Sequence, residues 1–214
     1  MPDLRDVVAL DEFEELVLAQ KPATKPWEPV TDYSFEARRL VEGKHPQLIV
    51  DVFHPLGVFD VGCGPGHLVR LLRELGVPAM GGDLHVKAGD VTYDVASESP
   101  QDLYHAYFDL VICREVLEHL TVRQIRRAVT NLCRASSRWV YVTTRFHPCL
   151  DADLLDVATS DTLDPTHITL LHPDFLRALF VMEGFRRDRA RERALDWQYK
   201  GRVLFYERVV EPGC

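Results

Sequence analysis

The sequence predicts an α/β fold: a doubly wound, mostly parallel sheet with helices on both faces. Three observations predict it. Residues 58 to 66, Val-Phe-Asp-Val-Gly-Cys-Gly-Pro-Gly, read as a short buried strand running into a glycine-rich turn, and His67 to Leu75 (HLVRLLREL) follows as an amphipathic helix that stops at Gly76. Pro78 to Gly82 then leads to Asp83 as a second strand (AMGGD), so strand, helix and strand come in the order of a right-handed parallel crossover. Phe108 to Cys113 (FDLVIC) is a continuous apolar run, the pattern of a central parallel strand covered on both faces.

The remaining elements follow in chain order. Asp11 to Ala19 has a short helical pattern, and the proline-rich KPATKPWEPV after it is irregular, either a tether or an arm over a cleft. Ser34 is placed to cap a helix from Phe35 to Glu42, and His45 to Phe53 reads as another that ends before Pro55. Val91 to Val95 is the expected third strand, with little chain between it and Asp83 for a full helix. Arg114 to Leu120 (REVLEHL) is expected to begin a helix. Thr121 to Arg134 carries Val122, Ile125, Val129, Leu132 and Cys133 at helical spacing. Trp139 to Thr143 is a fifth strand, and Pro148 to Thr166 a polar, irregular insertion facing substrate. Pro173 suits a first helical position, before a stripe of Phe175, Leu176, Leu179 and Phe180 that ends at Gly184. Phe185 to Leu195 and Arg202 to Val210 are expected as two closing strands joined near Gly201.

The 214 residues are enough for one domain with a sizeable core, and 46% apolar and 27% charged is ordinary for a globular protein. No apolar run approaches a membrane span, and the acidic N-terminus does not read as a signal peptide. A formal charge of −8 disfavours broad nucleic-acid or membrane-surface binding. Cys63, Cys113, Cys133, Cys149 and Cys214 are scattered without a C-x-x-C, which suggests reduced thiols and a cytoplasmic protein.

A strand, a glycine turn and a helix N-terminus make a site for a nucleotide-like ligand. The spacing here is G-x-G-x-G, not the G-x-G-x-x-G of dinucleotide enzymes. Asp60, just before the turn, repels phosphate and suits a cation. S-adenosylmethionine (SAM) carries an amino group and a sulfonium and has no phosphate. Asp83, at the carboxyl end of the second strand, can accept both ribose hydroxyls. Asp94, with Asp90 as competitor, is placed to accept from an adenine amino group.

VFDVGCGPG resembles motif I of the class I SAM-dependent methyltransferases, Asp83 the acidic end of their second strand, and FDLVICREVLEHL their fourth strand and following helix. DPTHITLLHPDFLRALFVMEGF is similar to the late segment of many small-molecule members. The resemblance spans roughly residues 56 to 210 and implies a Rossmann-like sheet of seven strands, closed by a C-terminal antiparallel hairpin. Residues 1–55 are then a helical and irregular cap, and 56–214 the methyltransferase domain. The implied activity is methyl transfer from SAM to an oxygen, less readily a nitrogen, of a small molecule. Gly62, Cys63, Gly64 and Gly66 form the loop around the methionine end, with Asp60 ordering its amino group, Asp83 on the ribose, Asp94 on adenine and Arg114 near the methionine or the substrate.

Glu115, Glu118 and His119 at i, i+3 and i+4 share one face of the expected helix, and His167 in Asp-Pro-Thr-His can join them. Two carboxylates and two imidazoles suit a divalent metal. The set is similar to the E-x-x-E-H plus later His of plant small-RNA 2′-O-methyltransferases, and ubiquinone-pathway O-methyltransferases have a similar helix start. Without metal, His119 or His167 is the candidate general base. Arg145, His147 and His172 lie near the expected cleft but suit the surface equally. The alternatives to a small-molecule enzyme are a terminal-ribose RNA methyltransferase and a non-catalytic SAM-binding subunit. Oligomeric state is open.

Overall fold

A computed structural model describes residues 4–21, 38, 40–41, 44–85, 89–98, 106–149, 151–159, 164, 166–196 and 201–209. Its helices are α1 (Leu4–Ala19), α2 (His45–Phe53), α3 (His67–Glu74), α4 (Val122–Ala135), α5 (Pro173–Met182) and α6 (Arg189–Leu195). Its strands are β1 (Val58–Val61), β2 (Ala79–Asp83), β3 (Val91–Thr92), β4 (Phe108–Arg114), β5 (Ser136–Thr143), β6 (Val157–Ala158), β7 (Leu170–Leu171), β8 (Phe185–Arg187) and β9 (Val203–Arg208). The main sheet has seven strands in the order β3-β2-β1-β4-β5-β9-β8. Pairings from β3 through β5 are parallel, and β9 runs antiparallel to both β5 and β8. The expected fold class is the observed one.

Strand alternation divides the core into two layers. Phe59, Val61, Val111, Cys113, Val140 and Val142 face α4 and α5, while Val58, Leu110, Ile112 and Tyr141 face α2, α3 and α6. β1 and β4 are buried on both faces, which explains why their sequences show no polar alternation. The chain winds outward from β1 to β3, then returns to β4 and winds the other way. The switch point therefore lies between the carboxyl ends of β1 and β4, where Val61 pairs with Cys113. No described helix is long and apolar enough to cross a membrane.

Several expected elements differ. The segment expected as a strand from Phe185 to Leu195 is a strand only to Arg187 and then helix α6. Asp188 accepts the amides of Ala190 and Arg191, Glu192 bonds Arg187, and Leu195 is buried under the sheet, so capping and helical burial overrule a strand. The closing hairpin therefore contains a helix and is not a tight turn. β3 is shorter than expected, ending at Thr92. Within the expected irregular insertion, Val157–Ala158 forms a small antiparallel pair with β7. The N-terminal helix begins earlier than expected, at Leu4. The proline-rich stretch and most of the expected Phe35–Glu42 helix lie outside the described residues.

The expected Arg114–Leu120 helix is the largest correction. β4 continues through Arg114, Glu115 takes a left-handed φ of 53°, and only Leu117–His119 forms one 3₁₀ turn. Leu120 is extended, and Thr121 opens α4 with a reciprocal capping box to Gln124. In a continuous helix the Glu118 carbonyl would accept the Val122 amide. Here that carbonyl accepts the amides of Ile168 (2.9 Å) and Thr169 (3.1 Å), and the Val122 amide donates to Gln20 Oε1 (2.8 Å). The break is thus satisfied by partners distant in sequence.

Helix α2 packs as part of the core: Phe53 stacks on Phe205 with centroids 4.8 Å apart and lies 5.5 Å from Trp139. Phe53→Ala should lower unfolding stability by about 3 kcal/mol in a single denaturant transition. A loss under about 0.5 kcal/mol would show that α2 is a dispensable covering.

Candidate functional site

The glycine turn closes over the carboxyl ends of β1 and β2. Gly62 donates to the Gly82 carbonyl at 2.7 Å and has a φ of 72°. A Cβ there would clash with the Val116 side chain, and with the left-handed φ this close approach favours glycine. Cys63 packs against β2, its Sγ filling the space where a Cβ on Gly81 would stand, at 2.8 Å. Burial, then the charges of Asp60 and Asp83, push the Cys63 thiol up to about 12. It is a packing residue with no thiolate to react at neutral pH.

Two carboxylates flank the turn. Asp60 is buried on β1, between Gly81 and Ile112. Asp83 ends β2, and its oxygens accept the Gly64 amide at 3.0 Å and the His85 amide at 2.8 Å. It thereby ties the glycine turn to the end of β2. Asp94 stands exposed just past β3, accepting from the Ala96 amide at 2.8 Å. Its competitor Asp90 is committed to Arg73 (2.7 Å) and the Gly81 amide (2.8 Å), tying α3 to β2. Arg114 ends β4 on the same sheet face as Asp60, near enough to His45 for its charge, after burial, to hold that imidazole down to about 3.

The second half of the site lies at the 3₁₀ turn. Glu118, His119 and His167 offer ligand atoms that all lie within 4.8 Å of one another. Glu118 is fully buried; its Oε2 accepts from Thr144 Oγ1 at 2.8 Å and its Oε1 has no hydrogen-bond partner. Burial, then the neighbouring Glu115 charge, raise it to about 8. His119 Nδ1 lies 3.1 Å from the Thr166 carbonyl and 3.0 Å from Thr166 Oγ1, whose own proton goes to Asp164 Oδ1 at 2.6 Å. Both oxygens therefore accept, which places the imidazole proton on Nδ1 and leaves Nε2 with its lone pair. Burial lowers the His119 pKa, so the ring is neutral near pH 7. The His167 ring packs edge-on at 4.9 Å, with its Nε2 3.4 Å from Asp164 Oδ2.

Glu115 neighbours Glu118 and adds its charge there, but it is not among the three residues whose ligand atoms converge. Its left-handed backbone breaks the expected shared helical face, and its half-exposed carboxylate points towards Arg202, 4.0 Å away. The three other proposed ligands converge because the chain folds back at Asp164–Thr169, not because they share a helix. His147 and His172 have local tasks: His147 Nδ1 accepts the Cys149 amide, and His172 caps α5. Sequence reasoning missed Thr144, Asp164, Thr166 and Gln20. The first three are short polar residues beside residues singled out for chemistry, and that proximity was the available signal. Gln20 carried none.

The Glu118 pKa makes a stability prediction. Its folded value lies above its unfolded one, so the folded chain holds a proton that the unfolded chain has lost between about pH 5 and pH 8. Stability should fall as pH rises through that window. Glu118→Gln should gain on wild type by roughly 2–4 kcal/mol across it, read from denaturant midpoints. Parallel pH curves for the two proteins would contradict the buried, protonated carboxyl.

Comparison with known proteins agrees with this architecture. A SAM-dependent methyltransferase from Archaeoglobus fulgidus superposes with a TM-score of 0.54 at 16% identity, covering 83% of this chain and 100% of that one. Magnesium protoporphyrin IX methyltransferase from Synechocystis, solved with bound SAM, gives 0.55 at 16% identity over 98% and 99% of the two chains. The ubiquinone biosynthesis O-methyltransferase of Mesorhizobium japonicum is 32% identical over 80 residues, so the match spans about a third of that relative's length (32%). The methyltransferase domain family matches residues 35–199, which include the glycine turn, the 3₁₀ turn and His167. By that match, across most of its length, the chain belongs to the methyltransferase domain family, the class I SAM-dependent enzymes.

Proposed function

We propose that this methyltransferase transfers the SAM methyl group to an oxygen of a small-molecule acceptor, with His119 as general base. The observation that supports the oxygen acceptor is the His119 tautomer: Nδ1–H is held by Thr166, so Nε2 is the unprotonated ring nitrogen, the one whose chemistry suits taking a hydroxyl proton. The small-molecule class is supported by the net charge of −8 and by the partial likeness to a ubiquinone-pathway enzyme. Gly62, Cys63, Gly64 and Gly66 shape the turn around the methionine end of SAM. Asp60 orders its ammonium, Asp83 accepts from the ribose and Asp94 from the adenine. Arg114 lies beside the methionine and acceptor. His167 packs against the base and helps hold the acceptor. Methyl transfer from a sulfonium is an in-line displacement in which charge disappears, so alignment and removal of the hydroxyl proton are the main tasks of the protein.

A second reading rests on the same cluster. Glu118, His119 and His167, with the unpartnered Glu118 Oε1, fit a divalent cation bound through one carboxylate and two imidazoles. Such a cation would orient the acceptor hydroxyl and lower its pKa. It would also favour Glu118 ionised, against the pull of burial. A terminal-ribose RNA acceptor belongs to this reading, with salt-sensitive binding as its signature.

One experiment separates the two. Hydroxylated acceptors are screened with SAM, and turnover of any active acceptor is followed in wild type, in His119→Gln and in chelator. Under the general-base reading, His119→Gln loses about 10²–10⁴-fold in kcat with SAM affinity retained, and chelator has no effect. Wild-type activity should fall along a limb below pH 6.5 as His119 is protonated, its pKa lying beneath that ordinary value. Activity abolished by chelator and restored by one divalent cation would replace the base with the metal. Unchanged turnover in both would exclude either role.

A further inference from the structure

The N-terminal helix ends against the break between β4 and α4. Gln20, directly after α1, donates from Nε2 to Thr169 Oγ1 at 2.9 Å and accepts the Val122 amide on Oε1 at 2.8 Å. Thr169 is fully buried and follows His167 by two residues. A single side chain thus joins the first residue of α4 to the segment that brings His167 against His119. These residues are 149 and 102 positions away from Gln20 in the chain, so local sequence does not enforce the contact.

The backbone arithmetic gives the contact its importance. The Glu118 carbonyl and Val122 amide are the pair that a continuous helix would bond to each other. In this fold they are kept apart: Ile168 and Thr169 amides occupy the carbonyl, and Gln20 occupies the amide. Without Gln20 the Val122 amide loses its acceptor and competes for the Glu118 carbonyl. Winning that competition would extend α4 backwards through Glu118 and displace the Ile168–Thr169 amides. His119 would then lose the Thr166 contacts that fix its tautomer. Attachment of α1 elsewhere is limited among the described contacts, with Phe13 edge-on to Phe175 at 5.6 Å and Val17 packed at the rim of the core. Leu18 is 79% exposed.

We propose that α1 is a site-completing element and that Gln20 is the positioning residue through which it locks the His167 segment onto the 3₁₀ turn. The catalytic meaning of the lock rests on the functional reading above; the lock itself does not. It also gives the segment outside the resemblance a task in the acceptor half of the cleft, leaving the glycine turn untouched.

The test uses the full chain and needs no acceptor. Amide exchange is measured by NMR at fixed pH in wild type, Gln20→Ala, Gln20→Glu, Thr169→Val and the Gln20→Ala/Thr169→Val double variant. Gln20→Ala should speed exchange at Ile168, Thr169 and Val122 by about tenfold and broaden the His119 Nδ1–H signal, with the Gly62 and Gly66 amides unchanged. Gln20→Glu should restore slow exchange at Val122 and Thr169, because its carboxylate accepts the Val122 amide and the Thr169 hydroxyl can turn to donate. The double variant should add little to Gln20→Ala, as expected for two residues in one contact. Thr169→Val serves where Gln20→Ala fails to fold, with faster exchange at Ile168 and Val122 as the expected result. Unchanged exchange at Ile168 and Val122 in the folded variants, or no rescue by Gln20→Glu, would overturn the proposal. S-adenosylhomocysteine binding is read on the same samples: its absence in a wild type that shows the exchange pattern would refute the methyltransferase reading and leave the lock standing.

Discussion

The path by which the backbone leaves β4 sets both halves of the site. Residues 114 to 121 do not continue as a helix; they turn through a left-handed Glu115, make one 3₁₀ turn and extend into the Thr121 cap. On one side of this path Val116 presses against Gly62 and so fixes how closely the glycine turn approaches β4. On the other, Glu118 and His119 are presented to the segment that carries His167. One stretch of main chain therefore borders the cofactor turn at Val116 and carries the acceptor chemistry at Glu118 and His119. Their separation is set by a few bonds, not by the length of a helix.

The electrostatics of the two halves are opposed. The glycine turn is flanked by Asp60 and Asp83, with Cys63 held as a neutral thiol between them. That environment favours a ligand whose charge is positive, the property that separates SAM from dinucleotides. At the 3₁₀ turn, burial instead drives groups towards neutrality: Glu118 upward and His119 downward. A neutral imidazole beside a protonated carboxyl suits the removal of a hydroxyl proton, and a cation would reverse the Glu118 preference. The protein thus places a binding field beside a proton-handling pocket without mixing the two.

The legible part of the sequence was local and periodic. The continuous apolar runs of β1 and β4 and the stripe of α4 follow from burial on defined faces, the parallel crossover from β1 to β2 follows from the strand, helix, strand succession, and the seven-stranded sheet was what the family resemblance implied. Asp83 was legible because the carboxyl end of a second strand is a fixed place in this architecture. The break at Glu115–Thr121 was not, since REVLEHL has good helical composition and its disruption depends on Gln20, Ile168 and Thr169 from elsewhere in the chain. Misreading it put Glu115 on one face with Glu118 and His119. Helix α6 was missed because the segment was read as a strand of the closing hairpin that the resemblance implies, with the Asp188 cap and the Arg187–Glu192 pair left unweighed. Tertiary hydrogen bonds decided the first case, and capping decided the second.

The central claim is that the turn between β1 and α3 binds SAM with Asp83 as its anchor. Calorimetric titration with S-adenosylhomocysteine, beside NAD, tests it most directly. The account predicts saturable one-to-one binding of S-adenosylhomocysteine, no binding of NAD, and at least about tenfold weaker binding in Asp83→Ala, whose lost carboxylate also releases the Gly64 amide. Well-folded protein that binds no S-adenosylhomocysteine, or an Asp83→Ala variant with unchanged affinity, would contradict it.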